Sequence, residues 1–284
     1  MATNNLAEKA MLVKLSIGQW TNIKHDRMVT EKANSEFNAE HDAGKYYKYK
    51  IAKEAFKEIN SIVNKTRTFH YNNTLPWHDD GRRILPAANF MRYSQMMRFF
   101  HMETDDAVKG LIAKFSEHVE NAKKRLGDMF NAEDYPTERE LIESFRFEVD
   151  IDPLPTASDF RVSLGDTEIA NIQNKITERL QSAQENAMKD VWNRLYESIK
   201  NIAEKLEDED AIIRNSLIEN LNALVGLLPR LNITNDTNLE KMCKEVEAQL
   251  GSYDAESLRR SPIERQVAGA AARSIADAIF TEMK

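Results

Sequence analysis

At 284 residues, with 30% charged side chains, a formal net charge of −7 and a single cysteine, the chain is long enough to bury a proper core. It cannot form an internal disulfide or a Cys-rich zinc module. Cysteine usage fits a reducing compartment, no stretch approaches the ~18 apolar residues of a membrane span, and the start lacks a basic segment followed by a continuous apolar run, so a cytoplasmic protein with no membrane partner is expected.

Charge is spread unevenly. Residues 1–100 hold 16 Lys/Arg against 10 Asp/Glu, and the remainder 23 against 36, while all six histidines precede Asn121. Such asymmetry hints at separate partner surfaces; the plainer reading is that acidic helices keep the second part in solution. On this basis the chain divides into a basic, aromatic-rich helical region (1–136), a β-ribbon element (137–165) and an acidic helical bundle (166–284).

In chain order, the alternation of Val13, Leu15 and Ile17 predicts a short strand, and a helix follows from about Asn22 to Phe37. Ala52, Ala55, Phe56, Ile59, Ile62 and Val63 recur at three- and four-residue steps. That predicts an amphipathic helix over 45–66 with Lys48, Lys53, Lys57 and Lys65 toward solvent. Pro76, Pro86 and Asp80-Gly81 predict an ordered loop or pair of turns across 72–86. Helical spacing resumes at Ala87 and runs to Met129, with a break expected near Thr104 or Gly110. Thr137 with Glu140 forms a capping-box pattern. Phe145, Phe147, Val149 and Ile151, and then Phe160, Val162 and Leu164, alternate with polar residues, which predicts two antiparallel strands that pack on helices or pair with the N-terminal strand.

From Asp166 the apolar positions Ile169, Ile172, Ile176, Leu180, Ala183, Ala187, Val191, Leu195, Ile199, Ile202 and Leu206 predict a helix on the order of 60 Å long. Their near-3.5 spacing permits a coiled coil with another helix of the chain or with another subunit. Ile213 to Leu228 predicts a helix ended by Pro229, Asp236 caps a helix running to Gly251, and Ser261, Pro262 and Glu264 start a C-terminal one. The fold class expected is mainly α: an elongated helical bundle with a long coiled-coil-like helix and a small antiparallel β element.

Three chemistries compete for the polar residues. The window Gly44–Phe100 has 11 Lys/Arg, 4 Asp/Glu and 11 aromatics, a composition suited to single-stranded nucleic acid because phosphates supply salt-dependent affinity and bases stack on rings. Tyr46, Tyr47, Lys48, Tyr49, Lys53 and Lys57 are the contacts this reading selects; its rival is that the rings are core and the lysines solvate a helix. His70, His78, Asp79 and Asp80 have metal-ligating chemistry but match no compact motif, so a polar turn with Asp–Arg pairing is the cheaper reading and no metal is expected. No phosphate-cradling glycine motif and no nucleophile elbow occur, and Cys243 falls on the apolar side of its helix, so neither a cofactor nor an enzyme is expected. The dense segment Phe69–Tyr93 supplies an interaction surface in Trp77, His78, Asp79, Asp80, Arg82 and Arg83. The long helix supplies an interface in Leu180, Val191, Trp192, Leu195 and Tyr196, with packing inside the chain as the alternative.

TLPWHDDGRRILPAANF (Thr74–Phe90), LGDMFNAEDYP (Leu126–Pro136), FRFEVDIDPLPTASDFRV (Phe145–Val162) and LLPRLNIT (Leu227–Thr234) occur in an order that resembles an uncharacterised family of bacteriophage and plasmid proteins. Members are sometimes encoded near a MoxR-type AAA ATPase and a von Willebrand A domain protein. The resemblance implies a bacterial cytoplasm and an adaptor or remodelling partner, and carries over no catalytic residue. The expected function is a non-catalytic accessory protein that binds other proteins and itself. The alternative is a single-stranded nucleic-acid-binding accessory factor.

Overall fold

The computed structural model describes residues 6–78, 80–156, 166–208 and 210–283. Helix α1 (Leu6–Lys9) leads into strand β1 (Ala10–Gly18), followed by β2 (Ile23–His25), α2 (Arg27–Glu36) and β3 (Tyr47–Tyr49). A 3-10 turn (Lys53–Phe56) opens α3 (Lys57–Asn72), after which come β4 (Leu75–Pro76), β5 (Arg83–Pro86), α4 (Ala87–Ala113) and α5 (Phe115–Leu126). Helix α6 (Glu138–Glu143) and β6 (Arg146–Pro153) precede the 42-residue α7 (Asp166–Glu207). Helices α8 (Ser216–Leu231), α9 (Thr237–Leu250), α10 (Ala255–Arg260) and α11 (Pro262–Glu282) complete the described chain. The protein is thus mainly helical with a small antiparallel sheet. Among the described residues, no helix is long and apolar enough to cross a membrane.

The chain forms two compact units. The first comprises Met1–Lys14, Tyr71–Tyr93 and Asp150–Lys284, the second Leu15–His70 and Ser94–Val149.

In the first unit β5 lies between β4 and β1, with Leu75, Ile84 and Leu12 in one cross-strand row, so all three point to the same face and join the helical core. The sheet order is β4-β5-β1-β6. The core is built by Ala183, Ala187, Val191, Leu195, Ile199, Ile202 and Leu206 of α7 packed on apolar faces of α8 and α11, with α9 packed on those two helices in turn. At Gly269 α11 lies tight against α7: a Cβ there would sit 3.3 Å from the Leu206 Cβ. Helix α7 stops without a glycine because the Arg265 guanidinium donates to the carbonyls of Leu206 (3.1 Å) and Lys205 (3.2 Å), and also to that of Asp208. Asp236 caps α9 as its sequence pattern predicts, accepting from the Asn238 and Leu239 N–H groups, and Trp192 Nε1 donates to its other oxygen at 2.9 Å. Ser261 caps α11 with Pro262 in the first turn. Pro229, expected to end α8, instead lies inside its last turn, and the helix continues to Leu231.

The second unit holds its rings together. Trp20 lies 6.1 Å from Phe56 and edge-on to Phe115 at 5.5 Å, while Phe56 stacks on Phe145. Ile59, Ile62, Val63, Thr66 and His70 form the buried stripe of α3. The helix expected over 45–66 begins only at Lys57, because Tyr47–Tyr49 pairs with Ile23–His25 as a ribbon. Asn22 fastens that ribbon: its side chain accepts from the Ile51 N–H at 2.8 Å and donates to the Ile51 carbonyl at 3.1 Å. The same pairing cuts the helix expected over 22–37 down to α2, which Asp26 caps by accepting from Val29. The break between α4 and α5 falls at Lys114, beyond both expected positions. Thr104 lies inside α4, its hydroxyl donating to the Phe100 carbonyl at 2.7 Å. Thr137 and Glu140 make both halves of the capping box that opens α6. Strand β6 takes the expected Phe145–Ile151 segment; the strand expected over Phe160–Leu164 lies outside the described residues.

Candidate functional site

The β2–β3 ribbon sorts its residues by the period of two. Ile23 opposes Tyr49, Lys24 opposes Lys48, and His25 opposes Tyr47. The two lysines therefore share one face, and the isoleucine, histidine and tyrosines share the other. Lys48 turns inward with only 6% of its side chain exposed and donates to the Met129 carbonyl at 2.5 Å, with Asp134 at 3.1 Å and Asp26 at 3.2 Å. Asp134, 1% exposed, also pairs with Lys24, whose side chain is 49% exposed. One carbonyl and two carboxylates thus surround the ammonium, and opposite charge at this range is what a buried lysine requires.

The electrostatics follow. Burial opposes the charged form of Lys48, but hydrogen bonds and attraction from Asp134 and Asp26 outweigh it and raise its pKa. Burial likewise disfavours ionised Asp134, yet the hydrogen bonds from Lys24 and Lys48 hold its carboxyl below the usual range. Asp26 is lowered first by the Val29 N–H it caps, against burial, and then by Lys48. Lys48 was selected from the sequence as a solvent-facing nucleic-acid contact. The structure corrects this: its charge is consumed inside the unit.

Of the other selected contacts, Tyr46, Tyr47, Lys53 and Lys57 remain on the outside, and Tyr49 is partly buried. Tyr46 and Tyr47 are exposed, His25 packs on the Tyr47 ring at 5.4 Å, and Lys53 Nζ lies 4.3 Å above the Tyr49 ring. Lys57 is exposed at the start of α3. Arg125, in the last turn of α5, donates to the Tyr49 carbonyl at 2.6 Å, bringing a further cation to this strand. Beside the ribbon, the start of α2 and the turns at 127–134 enclose a cleft of about 940 Å³ lined by Lys24, Arg27, Lys32, Met129 and Phe130. Arg27 and Lys32 form no ion pair among the described residues. Helix α2 buries only Thr30, leaving Met28 82% exposed and Phe37, at its C-cap, 81% exposed.

In the first unit, the surface expected around residues 77–83 is a hairpin tip. Gly81 takes a φ of +79° there, and Asp80 accepts from the Arg82 N–H at 3.0 Å. Trp77 is buried under the Arg179 guanidinium, and Arg179 Nε donates to His78 Nε2 at 2.5 Å. Arg82 pairs with Asp152 at 3.2 Å and with Asp80 at 3.6 Å. Arg83 is half-buried over the Tyr71 ring; burial and then the neighbouring Arg194 lower its pKa. Asp79 lies outside the described residues. His70 is buried in α3, in the other unit from His78. Among the described residues no three His, Cys, Asp or Glu side chains form a group that could hold a metal ion.

The α7 positions chosen as an interface divide in two. Val191, Trp192 and Leu195 are buried in the core of the first unit, and Tyr196 is half-buried against Phe280 at 5.9 Å. Leu180 is partly buried, as are Ile169, Ile172 and Ile176. Cys243 is buried in α9, and burial followed by Glu240 pushes its thiol up to about 11.

Sequence reasoning missed Asp26, Arg125 and Asp134, the residues that tie the ribbon down. Nothing in the local pattern around Asp134 sets it apart from the acids near it, since its role depends on lysines 86 and 110 residues earlier in the chain. Comparison with protein-family models, curated proteins and solved structures finds no match to this chain.

Proposed function

We propose that this chain is a non-catalytic accessory protein, of the phage or plasmid type that its landmarks resemble, which works by binding other polypeptides and a second copy of itself. The observation that carries this reading is the uneven cover of α7. Its seam is buried from Ala183 to Leu206 but only half-covered at Ile169, Ile172, Ile176 and Leu180. Those four residues take three helical turns in eleven positions, so the same stretch of a second α7 can lie beside it with almost no supercoil. In this reading α7 is the coiled-coil-like spine of an elongated bundle, and the resemblance adds an AAA ATPase system as an outside partner. Light scattering tests it. Ile172→Asp with Ile176→Asp should convert a dimer or larger assembly to a folded monomer, because both sites are only partly buried in the single chain. A wild-type chain that is monomeric at high concentration would overturn self-association.

A second reading is favoured by the ribbon, whose outer face gathers His25, Tyr47 and Tyr49 with Lys53 and Arg125 alongside. That surface suits a single strand, through stacking and phosphate contacts. Oligo-dT binding that falls steeply with salt and weakens on Tyr47→Ala would support it; no shift at ~50 mM salt, where screening is least, would sink it.

A further inference from the structure

A cleft of about 610 Å³ in the first unit opens where the end of α7 meets α10 and the start of α11. Arg259, in the last turn of α10, and Arg265, near the start of α11, both line it. Each guanidinium is held by uncharged acceptors. Arg265 Nε and Nη2 donate to the carbonyls that end α7, at 3.1 Å to Leu206 and 3.2 Å to Lys205. Arg259 Nη1 donates to the Ile213 carbonyl at 2.8 Å, and its Nη1 and Nη2 both reach the Asn215 Oδ1 at 3.1 Å.

Those bonds leave particular donors over. Among the described residues, Arg265 Nη1 and Arg259 Nε donate to nothing. In Arg259 the unused Nε–H lies beside the outer Nη2 proton, the edge with which a guanidinium grips an oxyanion through two parallel bonds. Water reaches both side chains. Arg259 is exposed, and Arg265 Nη1 keeps its contact with solvent, unlike the sealed, unpartnered atoms of Gln19, Asn89, Asp134 and Asp190.

Charge points the same way. Neither arginine forms an ion pair among the described residues. The C-terminal dipole of α7 offsets only about half of one positive charge, so about one and a half stand unmatched at the cleft. The surroundings limit what can answer them. Glu207 lines the same cleft with its carboxylate already engaged by Arg273, whose Nε donates to it at 2.7 Å. Asp208 and Glu264 adjoin lining residues in the chain and form no ion pair among the described residues. Their carboxylates repel a second negative charge, so a planar monoanion suits the cleft better than phosphate, which carries roughly two charges at neutral pH.

We infer that this cleft is a binding site for a single carboxylate group, gripped by the open edge of Arg259 and by Arg265 Nη1. The fold has already ordered both side chains, so the ligand does not have to. The volume lies within the ~300–1,000 Å³ range of small-ligand pockets and admits a free organic acid or the last residue of a polypeptide. The site is independent of the α7 seam.

The test is a titration of the full-length chain with labelled Arg Nε and Leu methyl groups. N-acetyl-leucine stands for a polypeptide terminus and butyrate for a free acid, with N-acetyl-leucinamide and inorganic phosphate as controls. Saturable shifts are expected at the Nε signals of Arg259 and Arg265 and at the Leu258 methyls with at least one of the two acids. N-acetyl-leucine binding more tightly than butyrate would assign a polypeptide terminus, and equal binding a free acid. Arg259→Gln should weaken binding about tenfold, the loss of one charge-assisted fork, and Glu207→Gln should not weaken it at all. Silence with both acids up to the solubility limit, an amide or phosphate that binds as tightly, or unaltered binding by folded Arg259→Gln would each overturn the inference. The wild-type titration decides the matter without any variant.

Discussion

Replacing Lys48 by methionine keeps the apolar stem and deletes the charge, which isolates the contribution of the ammonium. Its three acceptors would be left behind: the Met129 carbonyl, the Asp26 carboxylate and the 1%-exposed Asp134. Removing one partner of a buried pair costs ~3–5 kcal/mol. Asp134 keeps Lys24 and Asp26 keeps its capping bond to Val29, so the lower end, about 3 kcal/mol, is expected here. Lys24→Met makes the internal control. It removes a cation from the same carboxylate, but one half open to water, and should cost no more than about 1 kcal/mol. Because the chain has two units, a single global denaturation curve would blur the effect. Native-state hydrogen exchange over residues 22–51 reads it locally, and 3 kcal/mol corresponds to roughly 150-fold faster exchange in the opening-limited amides. Asp134→Asn should cost less in the Lys48→Met background than in wild type. Less than tenfold acceleration by Lys48→Met, or an equal effect of Lys24→Met, would refute the buried network as the fastening of the ribbon.

Asp26 and Asp134 are held below the ordinary 3.8, so the stability they add to the ribbon should be whole above that pH and lost as pH falls through their lowered values; Lys48, raised above 10.5, loses its share only as pH climbs beyond that, and exchange measured across pH checks both limbs. Leu195→Asp puts an unpaired charge in the core of the first unit and should unfold it, seen as lost near-ultraviolet circular dichroism, whereas Ile172→Asp should leave that signal intact. Gly269→Leu forces α11 off α7 at the Leu206 contact and should cost ~1–3 kcal/mol, read by native-state hydrogen exchange in α11, more than the same change at Gly110 costs in α4, where nothing lies within 4 Å of the added Cβ. Cys243 should resist a thiol reagent at pH 8 in the native chain and react at once in denaturant, since burial keeps it protonated; rapid native labelling would contradict its placement.

Local physical chemistry was enough to read the helices that announce their own ends. The Thr137–Glu140 box, Asp236 before α9 and Ser261-Pro262 before α11 use side chains within three residues of the groups they satisfy, so the signal is in the sequence itself. The apolar periodicity of α7 was equally legible, though not what covers it. The α7 steps from Ile169 to Leu206 span 37 residues in ten, nearer the 3.6 of a straight helix than the 3.5 of a left-handed coil, and from Ala183 onward the chain's own helices lie against them.

What the tertiary structure alone decided depends on partners far apart in sequence. Residues 22–25 are ribbon because residues 47–50 are there to pair with them, and that pairing overrides a helical pattern which neither segment contradicts alone. The period of two then sends Lys48 inward and Tyr47 outward, reversing the expectation for the lysine and keeping it for the tyrosine. Helix α7 ends where Arg265, 58 residues beyond Glu207, reaches its last carbonyls. A helix end written in a neighbouring side chain can be read from sequence; one supplied by a distant guanidinium exists only once the chain has folded, because the burial that makes its hydrogen bonds count is itself a product of the fold.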